Sequence, residues 1–186
     1  MTIASGQISR ALELPFRCSN TTTSNCVDAQ AAYESQMSLW GCMLGHANLV
    51  VHAAGWLECG LTASFEKLIV DAEMLQMIAE TLNPIRLTKG QLAMDAIAEV
   101  EPGGHHFGTS HTLERFETAF YQPMLSSRQN FETWQEGGSQ DSARRANGIW
   151  KALLAEYEPP PIGEARREAL EDYVDRRKRE IQGSTE

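Results

Sequence analysis

The apolar positions of the chain change period several times, and each change marks an element. Leu14-Pro15-Phe16-Arg17-Cys18-Ser19 reads as a short strand with an arginine near its end. From Asp28 onward, Ala29, Ala32, Tyr33, Met37, Trp40 and Met43 or Leu44 recur at helical spacing, with Asp28 as N-cap and Gly45 as the stop. A compact run, Leu49-Val50-Val51, follows and is broken by His52; it predicts a strand over 48–54. The clearest helical period begins at Ser64, with Phe65, Leu68, Ile69, Ala72, Leu75, Ile78, Ala79 and Leu82 inward, and Pro84 ends it. Strand, helix, strand, helix with short connections is the pattern of a parallel sheet with crossover helices.

The second half is more broken. Thr88 and Gln91 form a capping box for a helix over 92–100, and Pro102-Gly103-Gly104 interrupts it. A third strand is expected near 104–109, then a helix with Leu113, Phe116 and Phe120 inward that ends before Pro123. Further helices are predicted over 130–135, over 143–157 and, mostly charged, over 164–181. Near the start, Ile8 to Leu12 reads as the end of a helix.

Composition narrows the function classes. The chain has 186 residues, 42% hydrophobic and 22% charged, which is the make-up of a globular domain with a real core. A formal net charge of -9 argues against nucleic acid as the main partner, because an acidic surface repels phosphates. No run approaches the roughly 18 apolar residues of a membrane helix, and the first residues lack a signal-peptide layout. Cys18, Cys26, Cys42 and Cys59 show no CxxC spacing; scattered thiols of this kind fit a reduced, cytoplasmic setting.

Three kinds of chemistry compete for the remaining residues. His105, His106 and His111 suggest a metal site, but neighbours on a strand face opposite sides, and the histidines lack metal-ligand spacing, so no metal is expected. The second is a nucleophile from Cys18, Cys26 or Cys59, but Cys59 beside Glu58 has no local feature that would stabilise a thiolate and reads as a plain thiol. The third reading is a pocket for a small zwitterion: Arg17 for a carboxylate, His52 as second donor, Trp56 and Tyr33 as aromatic walls, and Glu58 with Glu66 or Asp71 adding negative potential. Each has a plainer reading as a core or helix-end residue.

The runs DAQAAYES (28–35), NLVVHAAGWLECGLTASFEKLIVDAEMLQM (48–77), EPGGHHFGTSHTLERFETAFYQPMLSS (101–127) and RANGIWKALLAEYEPPP (145–161) closely resemble the trimethylamine methyltransferase family. The resemblance implies an α/β fold, part of a (β/α)8 TIM barrel over 1–127 with a helical extension over 128–186. It implies transfer of a methyl group from a methylated amine to the Co(I) of a corrinoid that a cognate corrinoid protein presents, with no cofactor held by this chain. Only standard residues occur here, so the chain resembles the branch without pyrrolysine, which is associated with quaternary amines such as glycine betaine. By motif position, Arg17 in LPFRCSN and His52 in VVHAAGW match the family's substrate contacts. Both are expected to end their strands and to converge on one concavity, with Trp56 or Phe107 nearby. The match covers only the carboxyl-terminal part of the family, and a full barrel needs about 250 residues. Three strands close no barrel, so a homo-oligomer is expected, with a partner half or a purely scaffolding role as the alternative.

Overall fold

The computed structural model describes residues 1–183. It forms two compact units, Met1–Ala152 and the chain from Leu153 onward. The first begins with α1 (Thr2–Ala11), β1 (Arg17–Ser19), α2 (Ala29–Leu44) and β2 (Leu49–Val51). β1 and β2 pair in parallel, Arg17 opposite Leu49 and Ser19 opposite Val51, with α2 as the crossover. The βαβ unit expected from the alternating apolar runs is therefore present. Asp28 caps α2 by accepting the Ala31 N–H at 3.0 Å, and Gly45 follows its last turn. Arg10 of α1 donates to the Gly45 carbonyl at 2.7 Å, a cation placed on the negative end of α2.

After β2 the chain makes a second, antiparallel pair, β3 (Trp56–Leu57) with β4 (Thr62–Ala63), and enters α3 (Phe65–Leu82). Ser64 caps α3 through the Lys67 N–H at 3.2 Å. The core sits where α3 meets α2 and β2: Leu39, Met74 and Ile78 are buried, with Trp40, Met43, Val50, Val70 and Leu75 against them. A second cluster joins Ile69 of α3 to Leu125 and to Ala146 of α8 (Ser142–Ala155).

Three expectations are corrected. The inward faces of α2 and α3 are turned from those the apolar spacing suggests. α2 buries Ala31, Ser35, Leu39 and Cys42, leaving Tyr33 and Met37 exposed; α3 buries the expected Ile69 and Ile78, but with them Lys67, Asp71, Glu73 and Met74, leaving Phe65, Leu68 and Leu82 exposed. The reason is that polar side chains with internal partners occupy core positions which a count of apolar residues assigns to the surface. The third strand near 104–109 does not form. That segment is an exposed glycine-containing loop with no neighbouring strand to satisfy its backbone, and its last residue, Thr109, instead caps α6 (Ser110–Leu113). No barrel closes among the described residues; each of the two sheets has two strands.

The helix expected over 92–100 splits into α4 (Lys89–Leu92) and α5 (Met94–Glu99), because Ala93 adopts a left-handed φ of 51°. The predicted helix through Phe116 and Phe120 is cut to the single turn of α6, and both rings are exposed. α7 (Phe131–Glu136), α8 and, in the second unit, α9 (Glu164–Gly183) match the expected helices. Residues 184–186 of the expected helical extension lie outside the described residues. No described helix is long and apolar enough to cross a membrane.

Segment 121–126 is fastened to α3 by one carboxylate. Glu73 accepts from the backbone N–H groups of Met124, Leu125 and Ser126 and from the hydroxyls of Ser126 and Tyr121. Burial pushes its carboxyl up, but these donors outweigh burial and hold it below its ordinary value.

Candidate functional site

The ends of β1 and β2 are organised by polar contacts. Beyond Ser19 the chain runs as an extended loop, and Asn20, Thr22 and Ser24 alternate inward and are buried. The Asn20 N–H donates to the Val51 carbonyl at 3.1 Å, continuing the ladder by one bond. Its side-chain Nδ2 donates to the Ala53 carbonyl at 3.0 Å, while the buried Oδ1 has no partner among the described residues. Glu34 of α2 gathers the loop, accepting from Thr22 Oγ1 at 2.5 Å, from the Thr23 N–H at 2.6 Å and from Thr23 Oγ1 at 2.8 Å. The next turn, through Glu58 and Cys59, is left-handed at both residues and is pinned to the same loop by its N–H groups, which donate to Ser24 and Thr22 carbonyls.

His52 follows β2 directly with a φ of 55°. Its Nδ1 lies 3.2 Å from Ser19 Oγ at the end of β1, which leaves Nε2 to meet a ligand. Trp56 meets the imidazole edge-on, with ring centroids 5.3 Å apart and planes at 84°. Trp56 also walls an apolar cavity of about 210 Å³ with Ala54, Gly55, Ala63, Ser64, Phe65 and Leu68. His52 and Trp56 are thus the two expected site residues that the structure brings together.

The others stand apart from that pair. Arg17 opens β1, opposite Leu49, instead of ending it. His52 lies three residues beyond that level, about 10 Å along the ladder at the usual strand rise. The expected meeting at matching strand ends is therefore not built into the backbone. The error comes from the strand length: three residues pair, and Arg17 is the first of them. Tyr33 points from the outer face of α2 and is 59% exposed. Phe107 is 77% exposed in the 100–109 loop, its ring tilted against His105. Glu58 is committed locally, accepting from Asn25 Nδ2 at 3.0 Å and from Thr62 Oγ1 at 2.6 Å.

Two carboxyls near these elements are strongly shifted. Glu34 is held to about 2, first by Thr22 and then by Gln30 and Thr23. Glu66 is also held to about 2, by Asn147 and then Trp150, whose Nδ2 and Nε1 donate to its Oε1 at 2.7 and 2.8 Å. In each case the folded value lies below the ordinary 4.5, so the stabilising contribution is complete above that value and is lost as pH falls towards 2. Urea midpoints should therefore fall less steeply between pH 5 and pH 2.5 in Glu34→Gln and Glu66→Gln than in the parent chain. Parallel slopes in all three proteins would reject this assignment.

Two of the thiols are moved away from the thiolate form. Burial, and then the neighbouring Cys18 thiol, push Cys42 up to about 12, and the Asp28 carboxylate raises Cys26. His111 Nε2 lies 2.7 Å from the Gly90 carbonyl. Among the described residues, no group of three or more His, Cys, Asp or Glu side chains is placed to hold a metal ion.

Sequence reasoning passed over Asn20, Glu34 and Lys67 as organisers of this region, and read Asp71 only as a source of negative potential. The signal for the loop was its alternation, polar residues at 20, 22 and 24, which hydrophobicity does not register. For α3 it was Lys67 and Asp71 lying in the same 4-3-4 stripe as Met74 and Ile78.

A family model described as trimethylamine methyltransferase matches residues 1–182. A glycine betaine methyltransferase from Desulfitobacterium hafniense (strain Y51) is 34% identical over 96% of this chain and 37% of its own length. A trimethylamine methyltransferase from Desulfitobacterium hafniense (strain DSM 10664 / DCB-2) is 32% identical over 80% of this chain and 29% of its own length. One from Methanosarcina mazei is 30% identical over 73% of this chain and 27% of its own length. The chain thus spans between 27% and 37% of the length of these relatives.

Proposed function

The chain belongs to the trimethylamine methyltransferase family, and from that premise we propose that it forms part of the substrate face of an enzyme that takes a methyl group from a small methylated amine, foremost a betaine, and passes it to the Co(I) of a corrinoid held by a partner protein. The observation that carries the reading is the His52–Trp56 pair at the carboxyl end of a parallel βαβ unit, where ligands of α/β folds bind. The aromatic face of Trp56 suits a quaternary ammonium, and His52 Nε2 suits the carboxylate of the same zwitterion. The name of the glycine betaine relative adds support for this substrate class.

The chemistry asks little of acids or bases. A quaternary ammonium gives up its methyl group with both bonding electrons left on nitrogen, so a neutral amine departs and no proton is needed. The corrinoid supplies the nucleophile. What remains for the protein is to orient the methyl group and to exclude water. His52 is exposed and Trp56 only partly buried, so the site is open to an acceptor brought from outside. In this reading 1–127 is part of a barrel and 128–186 a helical extension of a cytoplasmic protein. Each strand of the β1–β2 pair has one neighbour among the described residues. The free edges favour a homo-oligomer or a companion chain as the rest of the sheet.

Arg17 enters this proposal as the distal carboxylate contact, on the same face of β1 as Ser19 by the alternation of the strand. The test compares ligands with and without a carboxylate. Calorimetry on Arg17→Gln should show glycine betaine binding weakened by about 1.5–3 kcal/mol, the range for hydrogen bonds to charged groups, with tetramethylammonium binding unchanged. An equal effect on both ligands, or none, removes Arg17 from the site. The reaction itself is tested by methyl transfer to cob(I)alamin from a panel of betaines and methylamines; no transfer and no binding across the panel would leave the chain a scaffold.

A further inference from the structure

An ion pair that methyl transfer does not use lies buried on α3. Lys67 and Asp71 are one turn apart and both are fully buried, at 0% exposure. Lys67 Nζ donates to Asp71 Oδ1 and, at 2.8 Å, to Oγ of the equally buried Ser35 on α2. The other carboxylate oxygen, Asp71 Oδ2, accepts the Gly55 N–H at 2.8 Å. One oxygen thus meets the cation and the other meets the turn that carries the site.

That turn is fixed at Gly55. Its N–H is held by Asp71, and its carbonyl accepts the Ser64 N–H at 2.9 Å. Its φ of +88° is a conformation that glycine reaches without strain. Three residues earlier stands His52; the next residue is Trp56. The orientation of the Gly55 peptide therefore sets how the indole approaches the imidazole.

Burying two charges is a poor way to stabilise a helix contact. Desolvation offsets most of the attraction, and apolar side chains of similar size in place of such a pair are often neutral or stabilising. Here they would extend a stripe already formed by Met74 and Ile78. What they lack is an acceptor for the Gly55 N–H. We propose that Lys67 and Asp71 are positioning residues: with Ser35 they aim the 52–56 turn, and so set the spacing of His52 and Trp56 that a small cationic ligand meets. The ligand part of this statement rests on the site reading above; the geometric part does not.

Two neutral double variants of the full chain separate aiming from support. Lys67→Met with Asp71→Leu removes charge and acceptor together, whereas Lys67→Met with Asp71→Asn removes the charge and keeps a carbonyl oxygen for Gly55. The leucine double variant should fold with an unfolding midpoint at or above the parent's. In NMR spectra it should lose the His52–Trp56 ring contact and at least tenfold of the Gly55 amide's exchange protection. The asparagine double variant should recover both signals. Binding of tetramethylammonium should weaken at least tenfold in the leucine variant and return in the asparagine variant. Retention of the ring contact and of Gly55 protection in the leucine variant overturns the proposal. So does its failure to fold, since the pair would then be supporting the core. If the parent chain binds no methylated ammonium, the site reading fails, and the two NMR signals still decide whether the pair aims the turn.

Discussion

Lys67→Met, made alone, is expected to cost about 3–5 kcal/mol of stability at neutral pH, the range for removing one partner of a buried pair. The loss comes from Asp71, left charged and buried without its cation. Burial already pushes the Asp71 carboxyl up from its usual 3.8, against the pull of Lys67 and the Gly55 N–H. Without the lysine, the folded value rises further above the unfolded one. The folded state then holds more protons than the unfolded chain, so stability declines as pH climbs from the ordinary carboxylate range towards the raised value. The penalty should be small at pH 4 and full at pH 7. Urea unfolding at the two pH values measures it directly; an equal loss at both would mean that the uncompensated carboxylate is not its source.

The second large effect belongs to the apolar core. Leu39 of α2 is fully buried against Met74 and Ile78 of α3. Leu39→Ala removes the contact that joins the two helices and should cost about 2–5 kcal/mol, with the spread set by how far the site collapses. Leu44, in the last turn of the same helix, is exposed, and Leu44→Ala should stay within about 0.5 kcal/mol of the parent. Denaturant midpoints should shift for the first variant alone, with unchanged slopes. Similar losses in both would mean that the core does not lie on the Leu39 face.

These two positions show where the sequence was legible. The starts of α2 and α3 were readable because Asp28 and Ser64 announce themselves chemically, and the parallel strand pair because its apolar runs are short and sharply bounded. The face of α2 was misread and that of α3 only partly read, at Ile69 and Ile78, since Ser35, Lys67 and Asp71 hold core positions that no hydrophobic count assigns to the interior. Lys67 and Asp71 are one turn apart, but their other partners, Ser35 and the Gly55 N–H, lie 32 and 16 residues away, and no local pattern shows a contact across that distance. The strand near 104–109 was read from its residues alone, yet a strand exists only where another can pair with it. His52 and Trp56 were found as a pair because they are four residues apart in one turn. Arg17 was misplaced because the ladder, not the motif, decides at which end of β1 it sits.

The Glu73 anchor bears on how the chain tolerates being cut. The stretch it closes, from α3 to residue 121, has nearly all its side chains exposed over 83–108. The entropy of closing such a loop grows only with the logarithm of its length, so insertions there cost little. A nick within it leaves residues 121–152 attached through Glu73, through the Ile69–Leu125–Ala146 cluster and through the bonds of Glu66 to Asn147 and Trp150. A cut within 83–108 therefore spares the contacts that hold the two sides of the first unit together, which makes this stretch the place at which to test whether split halves complement one another.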